Sequence, residues 1–96
     1  MNDVLIYWSP LAEETYLNTL SQILDKWTIK EVEAFEAKVD SLLDKLKKHK
    51  HLCPVSNKQH NLRRCVISPQ TSLVYRINGK VIELVAFFDN RSKHLY

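Results

Sequence analysis

The residues best suited to bind a metal ion or to form a covalent bond lie in the middle of the chain. Cys53 and Cys65 are the two cysteines, and His49, His51 and His60 lie near them in the sequence. Thiolate and imidazole groups bind zinc, but this spacing fits no closed Cys/His pattern, so we expect no metal site. The cysteines could form a disulfide in an oxidising compartment. Because the N-terminus shows no secretory signal pattern, we interpret them as separate thiols of a cytoplasmic protein.

Positive charge is concentrated in the second half of the chain. The formal net charge of the whole chain is +3, whereas residues 47–96 contain ten lysines and arginines and two acids, a balance of +8. A local excess of this kind favours an anionic partner such as a nucleic acid, because lysine and arginine neutralise phosphates. A solvated helix end is the simpler interpretation of the basic run at its start, which consists of Lys47, Lys48, His49, Lys50 and His51.

Composition excludes two classes of function. Gly79 is the single glycine, and the glycine-rich phosphate loops of nucleotide-binding proteins need more than one. No apolar run approaches the roughly 18 residues that span a bilayer. We therefore expect neither a cofactor nor a membrane partner.

Two helices are predicted in the first half of the chain. Residues 4–8 form an apolar strand, which ends where Ser9 provides an N-cap and Pro10 takes the first helical position. Thr28 and Glu31 form a capping box that begins a second helix almost at once. Helices joined by so short a loop pack as an antiparallel hairpin. The apolar positions expected to pack together are Leu17, Leu20, Ile23, Leu24 and Trp27 in the first helix and Val32, Phe35, Val39, Leu42, Leu43 and Leu46 in the second.

Three short strands are predicted after a basic loop, at about residues 62–67, 71–77 and 80–88. Asn78 and Gly79 lie between the last two strands and predict a two-residue type I′ turn, which requires positive φ angles. The single glycine therefore stands where the backbone needs it.

The type I′ turn would set the register of the last hairpin. Pairing Ile77 with Lys80 places Tyr75 opposite Ile82 on the face covered by the helices. We call the other side of the sheet the open face. In this register it carries Ser72, Val74 and Arg76 from one strand and Val81, Glu83, Val85 and Phe87 from the other.

These elements define an α+β protein of order β-α-α-β-β-β, with a helical hairpin packed on one face of a small, mainly antiparallel sheet. A chain of 96 residues is expected to form a single domain. Its parts are a helical hairpin, a basic loop, a sheet and a tail, at about residues 10–48, 49–61, 62–88 and 89–96.

Four stretches resemble, in the same order, the RelE/ParE superfamily, the toxins of bacterial type II toxin–antitoxin modules. Tyr7–Ala12 resembles the aromatic-Ser/Thr-Pro step into the first helix. Leu62–Ile67 and Leu73–Ile77 are similar to the second and third strands, with their basic and Tyr-Arg positions. Val81–Arg91 resembles the final strand and its Asp-x-Arg ending. The resemblance covers about residues 4 to 94.

The resemblance implies a bacterial cytoplasmic growth inhibitor that is neutralised by a cognate antitoxin protein. RelE-like members cleave messenger RNA on the ribosome without a metal, whereas ParE-like members poison DNA gyrase. The two branches share a fold, so the fold does not choose between them. A non-toxic nucleic-acid-binding or protein-binding module is the third alternative.

The resemblance also implies which residues would carry out RNA cleavage. Cleavage needs a group that activates the 2′-OH, a group that protonates the leaving oxygen and cations that hold the phosphate. The first candidates are Arg64 and Arg91 as phosphate clamps and His94 as acid or base. The weaker candidates are Arg63, Arg76, His60 and Tyr96.

Two binding surfaces are expected besides the catalytic residues. RNA or another anion is expected to contact Lys47, Lys48, Lys50, Lys58 and Lys93. The antitoxin is expected to cover the open face at Val74, Val85 and Phe87.

Several of these residues also have a purely structural interpretation. Arg76 could form an ion pair with Glu83 on the neighbouring strand, and Arg91 could pair with Asp89 at the end of the last strand. The last residues of a chain commonly fray, which would remove His94 from any site.

Overall fold

The computed structural model describes residues 4–91, and the fold there agrees with the predicted element order. The elements are β1 (Leu5–Trp8), α1 (Pro10–Lys26), α2 (Ile29–Lys48), β2 (Arg63–Val66), β3 (Thr71–Asn78) and β4 (Val81–Asp89). No helix in this part of the chain is long and apolar enough to cross a bilayer.

Both helices begin where the capping residues predict. The Ser9 hydroxyl oxygen accepts a hydrogen bond from the Ala12 N–H at 3.0 Å, and Pro10 opens α1. The Glu31 carboxylate accepts from the Thr28 N–H at 3.1 Å and also from the Thr28 hydroxyl. These contacts satisfy N–H groups that have no partner within the helix, so the sequence signals act locally as expected.

The buried side of α1 differs from the predicted stripe. Leu17 is 63% exposed, and Leu24 and Trp27 are also exposed, so that part of the prediction is wrong. Ala12 and Tyr16 pack against the core instead, together with the predicted Leu20 and Ile23. The reason is that α1 packs mainly across β4, whose position selects a side of the helix that includes Ala12 and Tyr16.

The four strands form one sheet in the order β1-β4-β3-β2. β1 runs parallel to β4, and the other two pairs are antiparallel, so the sheet is mainly antiparallel as predicted. The two helices provide the connection that brings the chain from β1 to the other side of the sheet. This arrangement leaves β1 and β2 at the edges and the long β3–β4 hairpin in the centre.

The turn between β3 and β4 is formed by Gly79 and Lys80, and the predicted Asn-Gly turn is wrong by one residue. Asn78 pairs with Val81, and Gly79 alone has a positive φ, of 61°. A two-residue turn with glycine at its first position and negative φ at its second is typical of type II′. Tyr75 consequently pairs with Leu84 rather than with Ile82.

A β-bulge at Val85 shifts the alternation of side chains in β4. Each residue after the bulge therefore faces the side of the sheet opposite to the one expected for a regular strand. Tyr75 pairs with Leu84, whereas the preceding residue, Val74, pairs with Ala86. The extra residue moves Phe87 to the helix side, where it is 2% exposed. The predicted placement of Phe87 on the open face is therefore wrong, because simple alternation contains no bulge.

The N-cap residue Ser9 and one side chain of α1 satisfy backbone groups of β4 beyond the end of β1. The Ser9 hydroxyl donates to the Val85 carbonyl at 3.1 Å, and the Thr15 hydroxyl oxygen accepts from the Phe87 N–H at 2.9 Å. Because β1 is short, these groups have no strand partner on that side. These two hydroxyls thus provide hydrogen bonds that a longer β1 would otherwise make to β4.

Aromatic side chains connect the elements in the core. The ring centroid of Tyr16 lies 5.2 Å from that of Trp8, 5.1 Å from that of Phe87 and 6.2 Å from that of Phe35. Tyr16 therefore joins α1 to β1, β4 and α2 through contacts at favourable aromatic distances. The fully buried side chains of Leu46, Leu73, Tyr75, Ile82 and Leu84 complete the core.

The turn can be tested by two alanine substitutions. We expect Gly79→Ala to lower the free energy of unfolding by about 1 kcal/mol, because alanine is strained at positive φ. A new Cβ would meet no atom within 4 Å, so the effect is conformational. Asn78→Ala is the matched control and should change stability by less than about 0.5 kcal/mol. Equal losses in urea denaturation would contradict the Gly79–Lys80 turn.

Candidate functional site

The basic loop (residues 49–61) is attached to the sheet by hydrogen bonds of two side chains, Tyr75 and Arg63. The buried Tyr75 hydroxyl donates to the Lys50 carbonyl at 2.7 Å and accepts from the Cys53 N–H at 3.4 Å. Arg63 donates to the Cys53 carbonyl at 2.7 Å. Burial raises the pKa of Tyr75, although the Cys53 N–H and the charge of Arg63 act against it. The hydroxyl therefore remains a neutral donor to the loop.

Cys53 and Cys65 form a disulfide, so the interpretation as separate thiols is wrong for this structure. Their Cα atoms are 5.3 Å apart, and both residues are buried. The loop folds back along β2, where Val55 forms a bridge to Arg63. That return of the chain brings two cysteines together that are well separated in sequence. Among the described residues, no three His, Cys, Asp or Glu side chains group closely enough to bind a metal ion.

The segment after Cys53 forms one side of a hollow beside β2, and we call this segment, residues 54–61, the wall. We call this space, of about 540 Å³, the cationic hollow; it is lined by Pro54, Val55, Ser56, Asn57, Lys58, Arg64 and Val66. Two predicted site residues, Arg64 and Lys58, thus meet at one concave surface. Arginine and lysine together are suited to binding a phosphate or another anion.

Arg64 is held by neutral groups. Its Nη2 donates to Asn90 Oδ1 at 3.0 Å, and its Nε lies 3.4 Å from Ser72 Oγ. The guanidinium carbon lies 5.2 Å from the ring centroid of Phe88, within range of a cation–π contact. No carboxylate of the described chain forms an ion pair with Arg64, and Nη1 has no hydrogen-bond partner there. The group is therefore oriented but keeps its positive charge for a ligand.

Asn90 connects Arg64 to the neighbouring turn. Its Oδ1 accepts from the Ser72 hydroxyl at 2.5 Å, and its Nδ2 donates to the carbonyls of Ser68 and Pro69 at 3.3 and 3.2 Å. The amide is thus fixed from both ends. Sequence reasoning missed Ser72, Phe88 and Asn90, because the bulge in β4 decides that the last two face Arg64.

Arg91 lies apart from the Arg64 site. Its guanidinium forms a two-point ion pair with Asp89, with contacts of 3.1 and 2.9 Å. The pair lines a small recess with Lys26 and Trp27 of the helix side, whereas Arg64 lies on the open face. Hydrogen bonds from the Arg91 side chain and N–H lower the pKa of Asp89 to about 2. The structural interpretation of Arg91, a pair at the strand end, is confirmed.

The other predicted arginines also have partners. Arg76 donates to Glu83 at 2.7 Å on the paired strand, which confirms the expected ion pair. Arg63 points towards the loop and away from Arg64, as alternation along β2 requires. His60 is an exposed residue of the loop and does not line the cationic hollow. The remaining candidates, His94, Tyr96 and Lys93, lie outside the described residues.

A second concave surface collects most of the predicted anion-binding lysines. It measures about 520 Å³ and is lined by Val4, Lys47, Lys48, His49, Lys50, His51, Leu52 and Lys80. Lys50 donates to the Gly79 carbonyl at 3.1 Å, which links the loop to the hairpin turn. Lys47 and Lys48 are exposed at the end of α2, where the helix dipole also favours cations.

The three residues expected to contact an antitoxin do not form one exposed patch. Val74 and Phe87 are buried, and Val85 is half-buried at the bulge. Apolar residues exposed on the open face lie instead on the two edge strands, at Leu5 and Tyr7 of β1 and Val66 of β2. Antitoxin binding at the three positions stays a prediction.

Several solved structures have the same fold as this chain. A chain of the chromosomal ParDE TA system from P. aeruginosa gives a TM-score of 0.77 at 10% identity, covering 93% of this chain and 98% of that chain. A copper-bound mutant toxin from Helicobacter pylori gives 0.68 at 17% identity, with coverage of 91% and 94%. The YoeB dimer from Staphylococcus aureus gives 0.62 at 21% identity, with coverage of 88% and 94%.

The structural comparisons define the class to which the fold belongs. No family model and no curated protein matches the sequence, so the similarity is one of fold. Two helices and a mainly antiparallel four-stranded sheet, in the observed order, form the RelE/ParE-like α+β fold. The resemblance inferred from the sequence is confirmed at this level.

The Tyr75 hydroxyl can be tested by deletion. We expect Tyr75→Phe to lower the free energy of unfolding by about 1 to 2 kcal/mol, because the Lys50 carbonyl loses its donor. Tyr7→Phe is the control, since Tyr7 is 52% exposed. If urea denaturation gives the same midpoint for both variants, the hydroxyl does not hold the loop.

The pair at the end of β4 predicts a pH dependence. The pKa of Asp89 should be about 2 in an NMR titration and should rise towards its ordinary value of 3.8 in Arg91→Ala. Because the folded-state pKa is below the unfolded value, the pair stabilises the fold above about pH 3.8 and loses this effect as the pH falls towards 2. An unchanged Asp89 pKa in the variant would contradict the pairing.

Proposed function

We propose that the chain is the toxin of a bacterial type II toxin–antitoxin module and inhibits growth by metal-independent, ribosome-dependent cleavage of messenger RNA. The fold supports the toxin role, since solved structures of this fold include a chain of a ParDE TA system and a mutant toxin from Helicobacter pylori. The observation that carries the RNA-cleavage proposal is the Arg64 guanidinium, which is oriented in the cationic hollow and has no carboxylate partner among residues 4–91.

The arrangement of Arg64 suits a phosphate clamp. In RNA cleavage the 2′-oxygen attacks phosphorus, a base takes the 2′ proton, and the bond to the 5′-oxygen breaks as an acid protonates it. Negative charge builds up on the phosphate oxygens during this step. The Nη1 group of Arg64 and the ammonium of Lys58 would stabilise that charge in a recessed site.

Proton transfer is assigned to residues near the C-terminus. His94 is the proposed acid or base, with Tyr96 and His60 as alternatives. Arg91 and Arg76 are less suited to phosphate binding than Arg64, because Asp89 and Glu83 already neutralise them. Lys47, Lys48 and Lys50, with Lys93, would provide a second, longer-range attraction for RNA.

The alternative target is DNA gyrase. The likeness to a ParDE chain, with a TM-score of 0.77, supports it. It is also supported by the separation of Arg64 from Arg91, because the two arginines expected to clamp one phosphate line different concave surfaces. A non-toxic module that binds nucleic acid or protein through the same basic surface is the third candidate.

The proposed partners are a cognate antitoxin and the ribosome with its messenger RNA. The proposed location is the bacterial cytoplasm. Leu5 and Tyr7, exposed on the open face, are apolar positions that an antitoxin segment would cover together with Val85.

Replacing Arg64 tests the RNA-cleavage proposal. We expect purified wild-type protein to cut ribosome-bound messenger RNA and Arg64→Ala to cut it about 100-fold more slowly. Arg64→Lys keeps the charge but loses the planar fork, and we expect an intermediate loss of about tenfold. Circular dichroism should show that both variants remain folded, and Lys30→Ala, a charge loss at the start of α2, should cleave normally.

Bacteria that express the protein without an antitoxin distinguish the alternatives. Intact messages combined with DNA damage and a loss of gyrase supercoiling would reject RNA cleavage in favour of the gyrase alternative. Normal growth without an antitoxin would reject both toxin mechanisms, and salt-dependent binding of RNA or DNA would then favour the binding module.

A further inference from the structure

The Cys53–Cys65 disulfide lies between two concave surfaces. A groove of about 810 Å³ runs between α2 and β2, and both cysteines line it. The cationic hollow is lined by Pro54 and Arg64, the residues that follow Cys53 and precede Cys65. The bond therefore joins the wall of the hollow to β2 at the point where the wall begins.

Within the described part of the chain, the backbone of the wall has few other attachments to β2. One backbone hydrogen bond joins the wall to β2, from the Arg64 N–H to the Pro54 carbonyl at 3.0 Å, and a second joins it to the residue before β2, from the Ser56 N–H to the Leu62 carbonyl at 2.8 Å. Most residues of the segment from Pro54 to Asn61 are exposed, so they bury little apolar surface. Segments with few buried contacts open locally at low free energy.

The sheet has a separate source of order. Every residue of β2 pairs with β3, and β3 pairs with β4 over its whole length. Leu73, Ile82 and Leu84 are fully buried, and their strand partners all lie in the sheet rather than in the loop. Loss of the disulfide should therefore affect the wall much more than the central strands.

We propose that this disulfide is a redox-modifiable clamp, whose reduction frees the wall of the cationic hollow while the sheet stays folded. The reductant is a dithiol. One of its thiolates attacks a sulfur of the bond, and its second thiol resolves the mixed disulfide. Two electrons pass to the protein, which ends with two protonated thiols, and the reductant ends as a disulfide.

The groove provides the route for this attack. Cys53 is 8% exposed and Cys65 is 2% exposed, so the approach through the groove reaches Cys53 more easily. Once the bond is open, the wall that carries Lys58 can move away from Arg64. The oxidised form thus has a preorganised hollow, and the reduced form has a mobile one.

Hydrogen exchange on the intact chain tests the clamp. We expect dithiothreitol to speed exchange of the Ser56 and Arg64 amides by about tenfold, with exchange in β3 and β4 unchanged. Cys53→Ala/Cys65→Ala should match the reduced wild type and should not respond to dithiothreitol. Reduced wild-type protein keeps the native side chains, so it gives the answer even if the double variant folds poorly.

Three results would overturn the clamp. The first is the detection of two alkylatable thiols in protein purified under air. The second is hydrogen exchange at Ser56 and Arg64 that reduction does not change. The third is faster exchange throughout the sheet after reduction. The last result would make the disulfide a stabiliser of the whole fold.

A binding measurement tests the clamp and RNA binding together, and its outcomes distinguish the failure of one from the failure of the other. With a single-stranded RNA oligonucleotide as probe, we expect reduction to weaken binding by about three- to tenfold, since a mobile wall must be ordered again. If the probe binds neither form while exchange responds to reduction, RNA binding at the hollow fails and the clamp stands. If exchange does not respond but the probe binds both forms equally, the clamp fails and RNA binding stands.

Discussion

The β-bulge at Val85 determines which side chains of β4 belong to the core and which belong to the site. A residue without its own partner on β3 reverses the alternation that follows it. Phe87 consequently enters the aromatic core, and Phe88 and Asn90 reach Arg64 on the open face. In a regular ladder Phe87 would face outwards and the Asn90 amide would face the helices. The core and the cationic hollow therefore depend on the same irregularity.

The start of α1 supports the bulge. Ser9 caps the helix with its hydroxyl oxygen and donates the same hydroxyl to the Val85 carbonyl. Thr15, farther along the helix, accepts from the Phe87 N–H. Backbone groups beside a bulge lack regular partners, and buried groups of this kind are costly to leave unsatisfied. Helix capping and strand irregularity are thus coupled through two short side chains.

The arginines of the second half differ in what holds them, and this difference decides their chemistry. Arg76 and Arg91 face carboxylates, and Arg63 is used to hold loop carbonyls. Arg64 is fixed by a hydroxyl, an amide and an aromatic ring, none of which carries a negative charge. A guanidinium held by neutral groups keeps its full attraction for an anion.

The sequence by itself determined the element order, the helix starts and the Arg76–Glu83 pair, because capping residues, apolar alternation and neighbouring strands act over short distances. It also indicated Arg64 as a candidate phosphate clamp and Lys58 as a candidate anion-binding residue, and the tertiary structure placed both beside one hollow. Tertiary structure alone decided the Gly79–Lys80 turn, the bulge, the buried side of α1 and the disulfide. The reason is that each depends on contacts between residues far apart in the chain. The Thr15–Phe87 hydrogen bond and the Cys53–Cys65 disulfide, for example, join residues that are distant in sequence, and local patterns such as strand alternation do not contain them.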